Sequence, residues 1–298
     1  MNQKRILLLS HIALVSAALI WGGSFIVMKN VVNVFPPSTL LAMRFGLGCL
    51  FLSLIFIKQF KDLDKSHLKS GALIGLFLFL AYYVQTTGLM TTTPGKNAFL
   101  TASYCVIVPF LFWAVDRHKP SNYNLVAAFL CIFGIGLVSL DGDLTMSTGD
   151  ILSLLSGFFF AAHMVSVAKL SRGKNMIIIT ILQFGVASLL ATLVAIPTET
   201  FPQNIPTSCW YEMGFLVVFA TGCAILFQNI GLKHVNPATG TLILSLESVF
   251  AILFSVLFYG EVLTLQLVLG FILIFVAILV AETKLSFLKK RPSSNIEI

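Results

Sequence analysis

Glu247 lies near the middle of an apolar run, Leu244-Ser245-Leu246-Glu247-Ser248-Val249-Phe250. A carboxylate that deep in a membrane costs about 3 kcal/mol even on insertion scales. On a helix its neighbours at three and four residues are Ile243, Leu244, Phe250 and Ala251, and none can pair with it. Its partner must come from another helix, from water or from a bound solute. Two chemistries fit: a satisfied packing carboxyl, or a cavity acid that binds a cation or carries a proton.

Other polar groups interrupt apolar runs in the same way. Asn97, Thr101 and Tyr104 recur at i, i+4 and i+7 and make a polar stripe on one helix face. Interhelical hydrogen bonding and solute contact are both open to that stripe. Gln85 follows Tyr82 by almost one turn, and Gln228 sits in a comparable run further on. His163 lies mid-run, as a packing residue or as a group titrating near neutral pH. Trp21-Gly22-Gly23 breaks its run with two glycines, for close helix packing or for a hinge with Trp21 stacked over a solute. Arg44, about 10 Å into its run at 1.5 Å per residue, is expected to snorkel to the surface, and Lys96 likewise. The cysteines Cys49, Cys105, Cys131, Cys209 and Cys223 show no CxxC or Cys/His spacing, so they read as packed free thiols; no metal site and no cofactor is expected.

The elements that position these groups are membrane helices. Hydrophobic residues make up 57% of the 298 and charged ones 10%, against about 25% charged in a soluble domain. Too little charge is present to cover a soluble surface, so lipid is the solvent for most of the chain. Ten runs approach the roughly 20 apolar residues of a spanning helix: Leu7–Met28, Ser38–Ile57, Leu68–Met90, Gly95–Val115, Asn124–Leu140, Gly149–Ala168, Met176–Pro197, Trp210–Leu232, Ala238–Phe258 and Leu263–Glu282. Pro94 and Pro237 suit helix starts after very short connections. Only stretches near 58–67 and 198–209 resemble soluble loops, and the first run is too long for a signal peptide.

The second half repeats the first at an offset of 143 residues. Gln85-Thr86-Thr87-Gly88-Leu89 and Pro94 return as Gln228-Asn229-Ile230-Gly231-Leu232 and Pro237; Gly71 maps onto Gly214, Ala18 onto Ala161 and Tyr104 onto Glu247. The spacing predicts an all-α membrane protein of two five-helix repeats, residues 1–143 and 144–284, with a basic tail at 285–298. Sixteen of the 19 basic residues fall on one side if both termini are cytoplasmic, with Lys29 and Lys96 outside and Arg44 inside the second span. That split favours cytoplasmic termini. An odd count per repeat then makes the repeats inverted, the build of many secondary transporters, whose solute site lies between repeats near the midplane. The net charge of +7 reflects topology and calls for no nucleic acid; the tail Lys289-Lys290-Arg291 meets anionic head groups.

Together these residues carry a family resemblance over essentially the full length. Trp21-Gly22 with Lys29, Arg44, Gln85-x-x-Gly88-Leu89, Ala98-Phe99-Leu100-Thr101 through Pro109, and Ser245-Leu246-Glu247-Ser248-Val249-Phe250 ending at Gly260-Glu261 resemble the EamA family of the drug/metabolite transporter superfamily. The resemblance implies a ten-helix basket with a cavity lined by spans 1, 3, 4, 6, 8 and 9. Two departures stand out. Ser248 replaces the proline usual after the span-nine glutamate, which questions a kink there. Asp116-Arg117-His118 stands where span four usually ends on an acid.

The expected activity is secondary transport of small polar metabolites across a cytoplasmic membrane, with amino acids or related amines foremost. The partners are a small-molecule substrate and the bilayer, and the carrier is a monomer or homodimer. Trp21, Tyr82, Tyr104 and His163 would shape the pocket, and Gln85, Asn97, Thr101, Gln228 and Glu247 would supply polar contacts. Coupling to protons through Glu247 and uncoupled facilitation are both open. A carrier of anionic solutes, such as nucleotide sugars or S-adenosylmethionine, would need Arg44 or Lys96 at the cavity. An intramembrane enzyme would need a paired catalytic constellation that the runs lack, and the loops are too short for a receptor or scaffold.

Overall fold

The computed structural model describes residues 3–117, 119–139, 146–235 and 243–284, with the backbone alone at 229, 230, 232, 233 and 282. His118, the junction at 143–144, Pro237, the start of the ninth span and the basic tail lie outside the described residues. Among those described there is no β-strand. Eight helices are long and apolar enough to cross a membrane, and two shorter apolar helices, Leu246–Tyr259 and Leu265–Ala281, accompany them. The all-α membrane expectation therefore holds.

The helices are α1 (Gln3–Val32), α2 (Pro37–Ile55), α3 (Lys65–Leu89), α4 (Pro94–Ala102), α5 (Tyr104–Asp116), α6 (Asn122–Ser139), α7 (Thr148–Leu170), α8 (Met176–Thr198), α9 (Thr207–Phe215), α10 (Ala224–His234), α11 (Leu246–Phe254) and α12 (Leu265–Thr283). Their starts follow local chemistry. Pro37 and Pro94 open α2 and α4, where a missing N–H costs nothing. Side chains of Asp64, Thr93, Ser147, Asn175 and Thr264 accept first-turn N–H groups as N-caps. The glycine pair does not break the first helix: α1 runs unbroken through Gly22-Gly23. A Cβ on Gly22 would fall 2.5 Å from Phe250 Cβ, so that glycine serves close packing.

α3 packs between α7 and α8, α2 lies on α8, α6 pairs with α12, and α1 crosses α10 and α11. Bare backbone sets the closest crossings, as small residues do in lipid. A Cβ on Gly88 would meet Gly149 O and Ser153 N on α7; on Gly231 it would meet Leu14 Cγ and Ser10 O on α1. Phe35, Phe45, Leu40, Leu41, Met213 and Leu216 fill the largest core, where α1, α2 and α9 converge.

Four irregularities shape the bundle. A turn at Ser103 separates α4 from α5, with φ −54° and ψ −17°. Ser245, with φ −63° and ψ −13°, opens α11 in the same way. Leu216–Cys223 winds as a π-helix between α9 and α10, and Ser255–Tyr259 does so beyond α11. The kink that Ser248 put in question has a counterpart three residues earlier. Ser248 Oγ donates to Ser245 O at 2.9 Å, a local side-chain bond that competes with the helical ladder.

At the end holding the α2–α3 connection, His67 joins two loops. Asp64 accepts from His67 N and pairs with Nδ1, each at 2.7 Å, while His67 Nε2 accepts from Asn175 N at 3.1 Å. The backbone N–H and then the ring of His67 hold the Asp64 carboxyl below its usual range.

Two outcomes follow for purified protein in detergent. Gly134 lies with its Cα against Gly270 O and Ile274; Gly134→Leu should cost about 1–3 kcal/mol as overpacking, read as a lowered melting temperature, whereas Gly214→Leu, with nothing within 4 Å, should be neutral. The Asp64 cap has a depressed folded pKa, so its contribution is full at neutral pH and is lost as pH falls through that lowered value. Melting curves against pH should differ between wild type and Asp64→Ala at neutral pH and converge in acid.

Candidate functional site

Tyr104 opens α5 and Glu247 stands in the first turn of α11, each just past one of the serine turns. Tyr104 Oη donates to Glu247 Oε1 at 3.4 Å. Both are half-buried. The deep carboxylate thus finds a phenol on another helix, a partner that the local sequence could not supply.

Aromatic contacts extend from this pair. Tyr104 lies against Phe160 of α7 with ring centroids 6.3 Å apart, and Phe160 meets Tyr82 of α3 edge-on at 5.0 Å. Tyr82 packs on Phe45 at 5.1 Å and carries the Arg44 guanidinium over its face, 4.9 Å from the centroid. Arg44 is 2% exposed, which overturns the expectation that it snorkels. Its Nε donates to Thr221 Oγ1 at 3.2 Å and its Nη1 to Met28 Sδ at 3.4 Å. Two ring faces, a hydroxyl and a thioether solvate the cation within the bundle, so it need not reach water. Lys96 is also held, with Nζ 3.6 Å from the buried Asp150 Oδ2.

Gln85, Asn97 and Thr101 come together, but on each other and on α7. Asn97 Nδ2 donates to Ser153 Oγ at 2.7 Å and to Gln85 O at 3.2 Å. Gln85 Nε2 donates to Thr101 Oγ1, which also meets Ser156 Oγ at 3.1 Å. All five side chains are buried, so this stripe ties α3, α4 and α7 together. Gln228 is half-buried on α10, and among the described residues nothing hydrogen-bonds it. The 143-residue shift puts Leu244 where Gln85 finds Thr101.

His163 Nε2 lies 2.8 Å from Gln183 Oε1 on α8. Trp21 Nε1 donates to Ala220 O at 2.8 Å. The π-helix explains that bond. Its last rung runs from Ala224 N to Phe219 O; where the helix returns to four-residue rungs, the next carbonyl, Ala220 O, is passed over. The indole takes up this orphan. Sequence reasoning missed Phe160, Gln183, Ser153 and Ser156. The two serines and Gln183 are mid-run polar residues like those singled out, and Phe160 carried no signal among so many phenylalanines.

One end of the bundle is closed by backbone capping. Lys29 Nζ donates to Leu89 O at 2.6 Å and to Met90 O and Thr92 O at 3.0 Å, across the end of α3. Glu261 accepts from Thr93 Oγ1 and Gly95 N at the start of α4, and from Ser255 Oγ. Glu199 accepts from Ser38 N and Thr39 N at the start of α2. Anionic groups at helix starts and a cation at a helix end match the helix dipole.

A family model, the EamA-like transporter family, matches residues 8–140 and again 147–283. The chain belongs to that family. Family relatives include an uncharacterized transporter of Archaeoglobus fulgidus, 31% identical over 93% of this chain and 87% of that protein. Another is the uncharacterized inner membrane transporter YedA of Escherichia coli, 26% identical over 92% of this chain and 91% of that protein. A solved crystal structure at 17% identity superposes with a TM-score of 0.66, covering 95% of this chain and 99% of the other, which bears on the fold alone. Within the family fold, the protein is a multi-pass membrane transporter.

Lys29→Met should leave three carbonyls without a donor and cost about 1–3 kcal/mol. Thermal melting in detergent checks this, with Lys29→Arg, which keeps the donors, falling between the variant and wild type.

Proposed function

We propose that this family member is a secondary transporter of small polar metabolites, amino acids or related amines, working by alternating access. The contact between Tyr104 and Glu247 carries the reading: residues 143 apart in sequence meet. Equivalent residues of two repeats touch only near the axis that relates them, and transporter sites lie on that axis. Both helices are interrupted just before these residues, at Ser103 and Ser245, as discontinuous helices are at such sites.

The same observations support ten spans in two inverted repeats, 1–143 and 144–284. Gly88 against Ser153 has its counterpart in Gly231 against Ser10, each residue shifted by 143 and the partners exchanged. The double match of the family model fits two units. Both termini are cytoplasmic in this reading, on the basic-residue split, so the end capped by Lys29, Glu199 and Glu261 faces outward. The pocket is formed by Trp21, Tyr82, Tyr104, His163, Gln228 and Glu247, with Gln85, Asn97 and Thr101 holding its wall. A carrier of anionic solutes is the second reading, favoured by one observation: Arg44 is turned into the bundle.

Counterflow in liposomes tests the function. Labelled amino acids, polyamines, nucleosides, sugars and S-adenosylmethionine are presented with and without an inward pH gradient, to wild type and to Glu247→Gln. Saturable exchange of amino acids or amines, accelerated by the gradient in wild type alone, is expected. Exchange indifferent to both gradient and variant would demote Glu247 to packing, and exchange of nucleotide-like solutes alone would favour the second reading.

A further inference from the structure

Arg44 is a buried cation without a buried anion. Among the described residues no carboxylate lies within ion-pair distance of it. Its contacts use Nε and Nη1 only, toward a neutral hydroxyl and a thioether, while a guanidinium offers five N–H donors in a planar fork. Thr221 accepts without giving its proton, which goes to Leu216 O at 2.9 Å. The ring of Tyr82 backs the plane, as aromatic faces do for arginine. A planar fork braced from behind, with donors to spare, has the shape that takes a carboxylate bidentately.

Its position matters as much as its valence. Although Arg44 grows from α2, its contacts are Met28 of α1, Tyr82 of α3 and Thr221 of the π-helix between α9 and α10. These belong to three of the helices expected to wall the cavity. Ring contacts then run unbroken from Tyr82 through Phe160 to Tyr104, and Tyr104 meets Glu247. One aromatic wall therefore carries a cation at one end and a carboxyl at the other.

We propose that Arg44 docks the carboxylate of the transported solute, which makes that solute a zwitterion, an amino acid whose ammonium group lies toward Glu247. This rests on the transport reading above and chooses amino acids over the plain amines that it leaves open.

Full-length protein in liposomes is tested by counterflow of labelled neutral L-amino acids and, separately, of their decarboxylated amines. Wild type should exchange the amino acids. Arg44→Gln should lose that exchange by at least about tenfold, as sites built to bond a group reject partners that cannot use it, while amine exchange is kept or raised. Retained amine exchange also certifies that the variant is folded. A folded Arg44→Gln with an unchanged KM for amino acids, or a wild type that exchanges amines and not amino acids, overturns the assignment. A wild type that exchanges neither defeats the transport reading, and the assignment falls with it. Should the variant not fold, phenylglyoxal modification of wild-type Arg44, followed by mass spectrometry, decides. Protection by amino acids and not by amines is expected; equal modification under both, or none at all, overturns the proposal.

Discussion

In a bilayer there is no water to satisfy a backbone group, so irregular backbone survives only where protein groups complete it. That constraint assigns several polar side chains in this molecule. Lys29 completes the end of α3, Glu261 the start of α4, Glu199 the start of α2, and Trp21 the carbonyl that the π-helix passes over. Four residues that look chemically able are engaged by backbone that helix geometry leaves open. Once they are accounted for, the groups with capacity left are few, and Arg44 and Glu247 are foremost among them.

The fold was legible because its signal is compositional. Apolar runs of span length locate the helices within a few residues: Met176–Pro197 is observed as Met176–Thr198, and Leu68–Met90 as Lys65–Leu89. The site was legible only in part. Glu247 and Tyr104 stand out because a polar group in an apolar run is rare, and the repeat ties them to one another. The fate of Asn97 could not be read, because it depends on Ser153, which lies 56 residues away on another helix. Arg44 was misjudged for a related reason: snorkelling is a property of one helix in lipid, and Tyr82, Met28 and Thr221 come from three others.

The two halves have diverged in chemistry while keeping their frame. Tyr104 faces its counterpart Glu247, Leu244 occupies the place of Thr101, and Ala187 that of Arg44. A solute bound between them meets walls of different character, which a strictly symmetric pocket could not offer to a molecule that is itself asymmetric.

Gly71 presses against Leu182, yet Gly214, its equivalent, touches nothing and borders an apolar groove of about 350 Å³ beside α2. Past the π-helix the correspondence returns, with Gly231 placed as Gly88 is. The π-helix lies between the two, and its five-residue rungs take more residues per turn. It therefore turns the flanking segments out of phase with one another, though no residue has been inserted or lost. Here a duplicated chain has stored part of its divergence as winding, a difference to which any alignment counted in residues is blind.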